Sequence, residues 1–285
     1  MNRSYLFVPG NRPERFDKAL ASGADAVIVD LEDAVPPDQK DAARAMVAAW
    51  LSAARPVVVR INAADTPWFA DDVALCRSQG VAAVMLAKSE RVADLAAIGS
   101  GLALIPLIES AVGFDALRAI AAAPNVQRLA FGAIDFQLDL NLRATFDELL
   151  FFRSQFVLGS KLANLAAPID SPSTAIDDLA EVEADAQRAR RLGFGAKLCI
   201  HPKQVDVVNA SFSPSAAEVD WAARVIAAAT ASQGAAVALD GKMIDKPVIL
   251  RAQRILREAR GSARSPACAS GALLLSPAPS GRRLG

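Results

Sequence analysis

Short apolar runs alternate with amphipathic, alanine-rich stretches up to about residue 200 of this 285-residue chain. Such alternation is typical of parallel β-strands joined by crossover helices. The predicted strands are Ser4 to Val8, Ala26 to Asp30, Val57 to Ile61, Ala82 to Leu86, Leu102 to Leu107, Arg128 to Phe131, Ala166 to Ile169 and Ala196 to Ile200. Because eight strands close a parallel barrel, we predict an α/β protein with a (β/α)8 TIM-barrel fold.

The stretches between these runs carry Ala, Leu, Arg and Glu at helical spacing. The clearest predicted helices are Lys40 to Leu51, Arg91 to Ile98, Ala111 to Ala122 and Asp177 to Leu192. Gly23, Gly80 and Gly193 stand where such helices would end. The seventh predicted strand is short and contains Pro168, so a six-stranded doubly wound sheet is an alternative to the barrel.

Sequence beyond the eighth run exceeds what a barrel needs. It predicts a helix from Ala217 to Ser232, a hairpin-like excursion from Gly234 to Met243 and a final helix from Pro247 to Arg260. We therefore predict one TIM-barrel domain over residues 1–260, which includes a C-terminal helical extension from about residue 213. Residues 261–285 are rich in Ser, Pro, Gly and Ala, and we predict a disordered tail there.

Charge and cysteine content narrow the possible partners. The chain has 31 basic and 31 acidic residues, so no overall field favours nucleic acid or an anionic membrane. Its three cysteines, Cys76, Cys199 and Cys268, are scattered without a CxxC pair, which argues against a disulfide framework and a zinc cluster. No apolar run is long enough for a membrane span. We expect a cytoplasmic protein that binds a small molecule.

Polar residues follow nearly every predicted strand. In a barrel the working residues lie at the carboxyl ends of the strands, so these side chains are the candidates for chemistry. They are Asn11 and Arg12, Asp30 with Glu32 and Asp33, Arg60 with Asn62, Lys88, Glu109, Asp135, Asp170 and His201.

Glu109 and Asp135 each follow an apolar strand at the point where it reaches the rim. Two carboxylates, completed by water and substrate oxygens, suit a hard octahedral cation such as Mg²⁺. The alternative is that each residue caps the helix that follows it. The residues alone leave both interpretations open.

Arg60 closes the third strand, where its guanidinium could bind a substrate carboxylate through two hydrogen bonds. The alternative is a structural ion pair with Glu32 or Asp33. We predict that Glu32, Asp33 and Lys88 line the substrate site with Arg60, although clustered acids could simply neutralise nearby cations. Asp30 we interpret as structural.

The sequence suggests a structural role for one further site and a ligand-binding role for another. His201, the one histidine, we expect to satisfy hydrogen bonds rather than to act as a base. The loop that contains Asn11, Arg12 and Arg15 leads into a helix N-terminus and could receive phosphate from coenzyme A. No GxGxxG, Walker or GxSxG motif is present, which argues against nicotinamide, nucleoside triphosphate and serine hydrolase chemistry.

Six segments, in order, resemble the citrate lyase β-subunit-like family of the HpcH/HpaI aldolase superfamily. They are Arg3-Ser4-Tyr5-Leu6-Phe7-Val8-Pro9-Gly10, Asp30-Leu31-Glu32-Asp33-Ala34-Val35, Ile108-Glu109-Ser110-Ala111 with Gly113, Phe131-Gly132-Ala133 through Asp135-Phe136, Ile200-His201-Pro202-Lys203-Gln204-Val205 and Gly241-Lys242-Met243-Ile244-Asp245. The resemblance covers residues 3 to 258. It departs at Leu86-Ala87-Lys88, where the family commonly has Leu-Pro-Lys, and this puts the local loop geometry in doubt.

The resemblance implies a TIM barrel, usually trimeric, in which Glu109 and Asp135 ligate Mg²⁺ and Arg60 contacts the substrate carboxylate. It also implies that Asp245 enters a neighbouring subunit's site as the acid-base residue.

These implications lead to an expected reaction. A Mg²⁺-dependent lyase of this kind would cleave or form a 3-hydroxyacyl thioester, such as a malyl-CoA, citramalyl-CoA or citryl thioester. The products of cleavage are an acetyl thioester and a 2-oxoacid. Alternatives are an aldolase acting on free hydroxy-oxoacids and a non-catalytic acyl-binding subunit of a multicomponent lyase.

Overall fold

Eight parallel strands form a closed barrel in the computed structural model, which describes residues 2–231 and 237–262. The last strand pairs with the first, with Leu198 opposite Tyr5, and this closure confirms the barrel and rules out the doubly wound sheet. The strands are β1 (Ser4–Pro9), β2 (Ala26–Asp30), β3 (Val57–Ile61), β4 (Val81–Leu86), β5 (Leu104–Ile108), β6 (Ala130–Phe131), β7 (Ile169–Asp170) and β8 (Ala196–Cys199).

The seventh strand begins later than its sequence predicts. Pro168 has no N–H to donate to a ladder, and pairing starts at Ile169, which lies opposite Ala130 and Ala196. The carbonyl of Pro168 still accepts a hydrogen bond from the amide of Gly195 at 3.0 Å. A proline at the edge of a strand is therefore compatible with barrel closure.

Helices surround the barrel and follow its strands in the order that crossover connections require. They are α1 (Phe16–Leu20), α2 (Lys40–Trp50), α3 (Phe69–Leu75), α4 (Val92–Ile98), α5 (Ala111–Asp115), α6 (Leu117–Ala121), α7 (Ala133–Asp139), α8 (Leu150–Leu162), α9 (Leu179–Leu192), α10 (Val205–Ser211), α11 (Ala216–Ala231) and α12 (Lys246–Ser262). Short 3-10 turns cover Pro13–Arg15, Pro37–Gln39 and Pro202–Gln204.

The single helix predicted over Ala111 to Ala122 is wrong, because the chain divides at Ala116 into α5 and α6. The first part packs Phe114 against a group of phenylalanines, including Phe136 at 5.7 Å between ring centroids. The second part buries Leu117. At the end of α9, Gly193 has φ +112°, which confirms its predicted place at a helix end.

Alternation along the strands decides which side chains enter the barrel. The inward-facing apolar residues are Tyr5, Ile28, Val58, Ala83, Met85, Ile105, Leu107, Ala130, Ile169, Ala196 and Leu198. Asp30, Arg60 and Glu109 each lie two residues after a member of this set, so they continue its inward-facing rows. The fold therefore directs three charged side chains into the mouth of the barrel.

The chain after the barrel forms a separate small core. Helices α11 and α12 pack together around Ala222, Val225, Ala252 and Ile255. Between them, β9 (Val237–Leu239) and β10 (Lys242–Ile244) form the predicted hairpin. The predicted tail falls mainly on residues 263–285, which lie outside the described residues. Within the described segments, none of the helices combines the length and apolar character that crossing a membrane requires.

Candidate active site

Arg60 and Asp30 form a buried, two-pronged ion pair at the mouth of the barrel. The Nε and Nη2 atoms of Arg60 donate to the two carboxylate oxygens of Asp30 at 2.7 and 2.6 Å. The Arg60 guanidinium also lies over the ring of Phe7, 4.7 Å from its centroid. These contacts fix the plane of the guanidinium and agree with the structural interpretation of Asp30.

Glu32 lies between two cations. One carboxylate oxygen is 3.0 Å from Nη1 of Arg60, and the other accepts a hydrogen bond from Nζ of Lys88 at 2.8 Å. Burial raises the pKa of Glu32, but Arg60 and Lys88 outweigh burial and lower it overall. Glu32 is therefore an anion that connects the second, third and fourth strand ends.

Asp33 is the exposed member of this acidic group. Its carboxylate lies 3.8 Å from Arg60 and 3.9 Å from Lys88, and about half of the side chain is open to solvent. Partial burial, followed by repulsion from Glu32, raises the pKa of Asp33 to about 6. Asp33 is thus the one acid of the group that can exchange protons with solvent near neutral pH.

Behind the acidic group lies a buried lysine. Nζ of Lys40 donates to the carbonyls of Leu31 and Glu32 at 2.8 Å each, and to Oδ1 of Asn62 at 2.7 Å. Asn62 in turn donates to Asp72 at 2.7 Å. All three protons of the ammonium are used, so Lys40 holds the main chain that carries Glu32.

Glu109 is buried and is not a helix cap. The N-cap of α5 is the next residue, Ser110, whose hydroxyl accepts from the amide of Gly113 at 3.1 Å. One oxygen of Glu109 accepts a hydrogen bond from the amide of Lys88 at 2.8 Å. The other faces Gly132, where an added Cβ would come within 2.5 Å. The capping alternative for Glu109 is therefore excluded.

The charge state of Glu109 depends strongly on its surroundings. Burial raises its pKa to about 8, and repulsion from Glu32 and Asp135 adds to this, while the amide of Lys88 and the charge of Arg60 oppose it. Burial and neighbouring acids make the ionised form of this carboxyl group unfavourable. A bound cation would stabilise that ionised form. This electrostatic situation fits a bound divalent ion.

Asp135 lies in the first turn of α7, close enough to Glu109 to repel its charge. The N-cap of α7 is Gly132, and no capping hydrogen bond from the Asp135 side chain is found in the described chain. No group of three or more His, Cys, Asp or Glu side chains with metal-binding geometry occurs among residues 2–231 and 237–262. Two neighbouring carboxylates would leave positions for water and substrate oxygens around a hard cation such as Mg²⁺.

Two adjoining clefts open beside the loop that follows β2, and both are lined by Ala34 and Pro36. The first, of about 560 Å³, is bordered by Glu32, Asp33, Lys40, Asn62, Trp68 and Lys88. The second, of about 550 Å³, is bordered by Asn11, Arg12, Arg15 and Gln39. Nδ2 of Asn11 donates to Gln39, but its Oδ1 is buried with no hydrogen-bond partner among the described residues. The second cleft thus offers two exposed cations, Arg12 and Arg15.

Two rim residues from the sequence do not join the site. Asp170 follows inward-facing Ile169 directly, so it points outward, where it accepts from Arg153 at 3.0 Å and from Lys197 at 2.9 Å. Nδ1 of His201 accepts from the amide of Lys203 at 3.2 Å and caps a 3-10 turn. The position of Asp170 corrects its placement at the rim, and that of His201 agrees with a structural role.

Asp245 directly precedes α12, in the part of the chain that follows the barrel. Its carboxylate caps α12 by accepting from the amide of Val248 at 3.2 Å. Within the described ranges, no hydrogen bond or ion pair joins Asp245 to Glu109, Asp135 or Arg60. Among the described contacts, Asp245 is therefore not part of the hydrogen-bond network at the barrel mouth.

Sequence reasoning did not identify Lys40 and Gly132 as parts of this site. The helical spacing of α2 did contain a signal for Lys40. This lysine lies three and seven residues before Ala43 and Val47, which are buried, and so shares their face of the helix. A lysine on the apolar face of a helix needs buried oxygens around it. Gly132 and Glu109 follow neighbouring strands, so their contact depends on strand pairing. No local sequence pattern predicts it.

Comparison with known proteins finds one matching family model and several similar curated proteins. A family model described as HpcH/HpaI aldolase/citrate lyase matches residues 3–202. The citrate lyase subunit beta-like protein of Deinococcus radiodurans is 36% identical over 276 residues, which cover 89% of this chain and 96% of the relative. The (3S)-malyl-CoA thioesterase of Cereibacter sphaeroides is 34% identical over 278 residues, covering 92% and 95%.

A solved structure of similar overall form is also available. The crystal structure of CitE from Mycobacterium tuberculosis in complex with magnesium, acetoacetate and coenzyme A superimposes with a TM-score of 0.83 at 36% identity. The match covers 91% of this chain and 98% of the CitE chain. Both the barrel and the helices beyond it therefore have a counterpart in a known structure.

Proposed function

Because the chain belongs to the HpcH/HpaI aldolase/citrate lyase family, we propose that it is a Mg²⁺-dependent carbon-carbon lyase acting on a 3-hydroxyacyl thioester. Cleavage of malyl-CoA, citramalyl-CoA or a citryl thioester would give an acetyl thioester and a 2-oxoacid. The carbon-carbon bond breaks, its electron pair goes to the acetyl carbon, and one proton moves overall from the hydroxyl oxygen to that carbon.

The observation that carries the proposal is the buried carboxyl of Glu109, held near Arg60 and Asp135, with one oxygen that accepts no hydrogen bond from the described residues. Glu109 and Asp135 would hold Mg²⁺, which when bound supplies a Lewis acid for the hydroxyl and carboxylate oxygens of the substrate. The magnesium in the similar CitE crystal structure supports Mg²⁺ as the proposed ion.

Arg60 is the proposed ligand of the substrate carboxylate. Asp30 and Glu32 contact all three guanidinium nitrogens and fix the plane of the group, so the two remaining N–H groups have a fixed direction. The acidic neighbours Glu32 and Asp33 and the cation Lys88 line the adjoining cleft. A fixed guanidinium loses little freedom when it binds a second carboxylate, which favours binding.

Asp245 is the proposed acid-base residue, supplied by a neighbouring subunit of a homotrimer. Exposed apolar side chains on α7 and α8 support association, with Leu138 80% and Phe151 62% accessible. The same helix α7 carries Asp135, so a partner covering Leu138 would lie next to the rim. In cleavage Asp245 would protonate the acetyl carbon, and in condensation it would remove that proton.

The second cleft is the proposed site for the phosphates of coenzyme A. Arg12 and Arg15 have more than half of their side chains exposed, and each is 3.9 Å from Glu14, beyond hydrogen-bonding distance. Their N–H groups are available for phosphate oxygens. The buried, free thiols Cys76 and Cys199 support a reducing, cytoplasmic setting.

A second candidate reaction is hydrolysis of the malyl thioester, favoured by the 34% identity with the (3S)-malyl-CoA thioesterase. The two reactions differ in products. Carbon-carbon cleavage releases a 2-oxoacid and keeps the thioester, whereas hydrolysis releases free thiol and a hydroxyacid. Measuring both products from one incubation separates them.

The test is a panel of malyl, citramalyl and citryl thioesters, with the corresponding free acids, incubated with the purified chain with and without Mg²⁺. We expect 2-oxoacid only from thioesters and only with Mg²⁺. Turnover of free acids would favour the aldolase alternative, and no turnover by the chain alone would favour the non-catalytic subunit.

Asp245→Asn is the sharpest variant for this panel. Asparagine preserves the cap of α12 but cannot move a proton, so we expect a folded protein with little turnover. A fully active Asp245→Asn variant would exclude the acid-base assignment.

A further inference from the structure

Lys88 has an unusual backbone conformation, with φ +46°. The other non-glycine residues with positive φ in the described chain are Asn125, Asn141, Asn164 and Asp240. Asparagine and aspartate tolerate the left-handed region because their short polar side chains bond locally, whereas lysine has no such compensation. The strain at Lys88 must therefore be held by its surroundings.

Hydrogen bonds fix the turn on both sides of Lys88. The amide of Ala87 donates to the carbonyl of Ile61 at 3.3 Å, and the amide of Ser89 donates to that of Leu107 at 3.0 Å. The hydroxyl of Ser89 also donates a hydrogen bond to the carbonyl of Leu86 at 2.9 Å. The turn is attached to the strands on both sides, and the amide of Lys88 is left facing the barrel mouth.

That amide donates to Oε1 of Glu109 at 2.8 Å. It is the one hydrogen bond to the Glu109 carboxylate found among the described residues. The ammonium of the same residue donates to Glu32 at 2.8 Å and lies 3.9 Å from Asp33. Lys88 thus bonds one acid with its main chain and another with its side chain.

We propose that Lys88 is a positioning residue for Glu109, and that its main-chain amide, turned inward by the left-handed conformation, sets the orientation of that carboxylate for a divalent cation. The inference rests on the proposed function of Glu109 as a metal ligand. It also revises the role of the Lys88 ammonium, whose nearest partners are protein carboxylates rather than the open cleft.

The physical basis is the orientation of a ligand by its neighbour. A carboxylate with one oxygen fixed presents the other in a defined direction, so less freedom is lost when a cation binds. Removing an outer partner of a metal ligand typically weakens metal affinity by about 10-fold to 100-fold.

The test replaces the peptide bond before Lys88 by an ester, through incorporation of the α-hydroxy acid analogue of lysine. This change removes the N–H and keeps the side chain. Titration calorimetry with Mg²⁺ alone should show affinity weakened by about 10-fold or more. The same ester before Ser89 is the control, because it removes a hydrogen bond of the same turn without touching Glu109. We expect that control to lower Tm and leave Mg²⁺ affinity within about 3-fold.

Side-chain variants complete the test. Lys88→Ala and Lys88→Gly keep the amide, so both should retain Mg²⁺ affinity within about 3-fold, and Lys88→Gly should have the higher Tm because glycine adopts positive φ without strain. Equal losses from the two esters, or a loss in Lys88→Ala as large as that from the ester at Lys88, would overturn the inference. If Glu109→Ala binds Mg²⁺ normally, the proposed metal site itself fails, which is a distinct outcome.

Discussion

A Cβ atom on Gly132 would lie 2.5 Å from Oε2 of Glu109 and 2.6 Å from its Cβ. No real Cβ tolerates such contacts, so the Glu109 side chain occupies the space that a side chain at residue 132 would need. Gly132 also donates its amide to the carbonyl of Ile108 at 3.0 Å, which holds the two strand ends at this distance. The absence of a side chain at residue 132 is therefore a condition for the position of Glu109.

We predict that Gly132→Ala displaces the Glu109 carboxylate. Mg²⁺ affinity should fall at least 10-fold, and overpacking should cost about 1–3 kcal/mol of stability. Calorimetry and thermal unfolding measure the two effects. Gly159→Ala is the matched control, since its Cβ would meet the side chain of Leu117 in a helix contact away from the rim. The control should lose stability only; equal loss of Mg²⁺ affinity in both would contradict the prediction.

The raised pKa of Glu109, about 8 against a usual 4.5, predicts two opposite pH effects. Burial is the main cause, so the folded, metal-free protein prefers the protonated acid. Glu109 therefore contributes fully to folding stability below its pKa in the unfolded chain. That contribution is lost as pH rises through its pKa in the folded protein. Mg²⁺ requires the carboxylate, so binding should release a proton and strengthen about 10-fold per pH unit below about pH 8.

Calorimetry in buffers of different ionisation enthalpy counts the released proton directly. Glu109→Gln is the control for stability, because it should remove the decline in Tm of the metal-free protein between about pH 6 and pH 8. Mg²⁺ affinity that stays constant over this range, with no proton release, would mean that Glu109 is already ionised.

Most of the barrel could be predicted from the sequence because each strand is a local apolar run. The bounds of β2 and β3 are as predicted, and β7 starts later than predicted because Pro168 cannot donate to the ladder. Helices α7 and α8 were not predicted. Their exposed faces carry apolar residues such as Leu138 and Phe151, which obscure the amphipathic pattern.

The candidate site was predictable only in part. Inward direction follows from period-two alternation, which would also have separated Glu109 from the outward-facing Asp170. Contacts between strands are different, because the bond from the Lys88 amide to Glu109 depends on turn geometry and barrel closure. The role proposed for Asp245 involves a second copy of the chain, so the contacts of one chain do not reveal it.

Lys40 allows a prediction about how much the buried contacts behind the rim contribute to stability. Lys40→Met would leave the carbonyls of Leu31 and Glu32 and the Asn62 oxygen without their buried donor, at about 1–3 kcal/mol for each unsatisfied group. We expect a total loss of about 3 kcal/mol or more in urea unfolding. Lys18→Met, at an exposed position of α1, should change stability little. Equal stability of the two variants would show that the Lys40 contacts contribute nothing net.

The exposed arginines of the second cleft allow the coenzyme A carrier to be tested without a ligand-bound structure. Arg12 and Arg15 both border the second cleft, and within the described part of the chain neither has an ion-pair contact shorter than 3.9 Å. If they bind phosphates of coenzyme A, Arg12→Gln and Arg15→Gln should each raise KM for the coenzyme A thioester by about 10-fold, the effect of losing one charge-assisted hydrogen bond. Turnover at saturation should change little, because the lost contact is remote from the reacting carbons.

A truncated substrate makes this prediction specific. The same acyl group on N-acetylcysteamine lacks every phosphate, so its KM should be high in the wild type and unchanged in both variants. Added salt should shrink the difference with coenzyme A, since exposed charges are screened over about 10 Å at 0.1 M. Arg91→Gln serves as control, because Arg91 is an exposed arginine at the start of α4, outside the second cleft, and is paired with Asp94. A rise in KM for the truncated thioester equal to that for coenzyme A would show that Arg12 and Arg15 act on the acyl part or on the fold, not on phosphate.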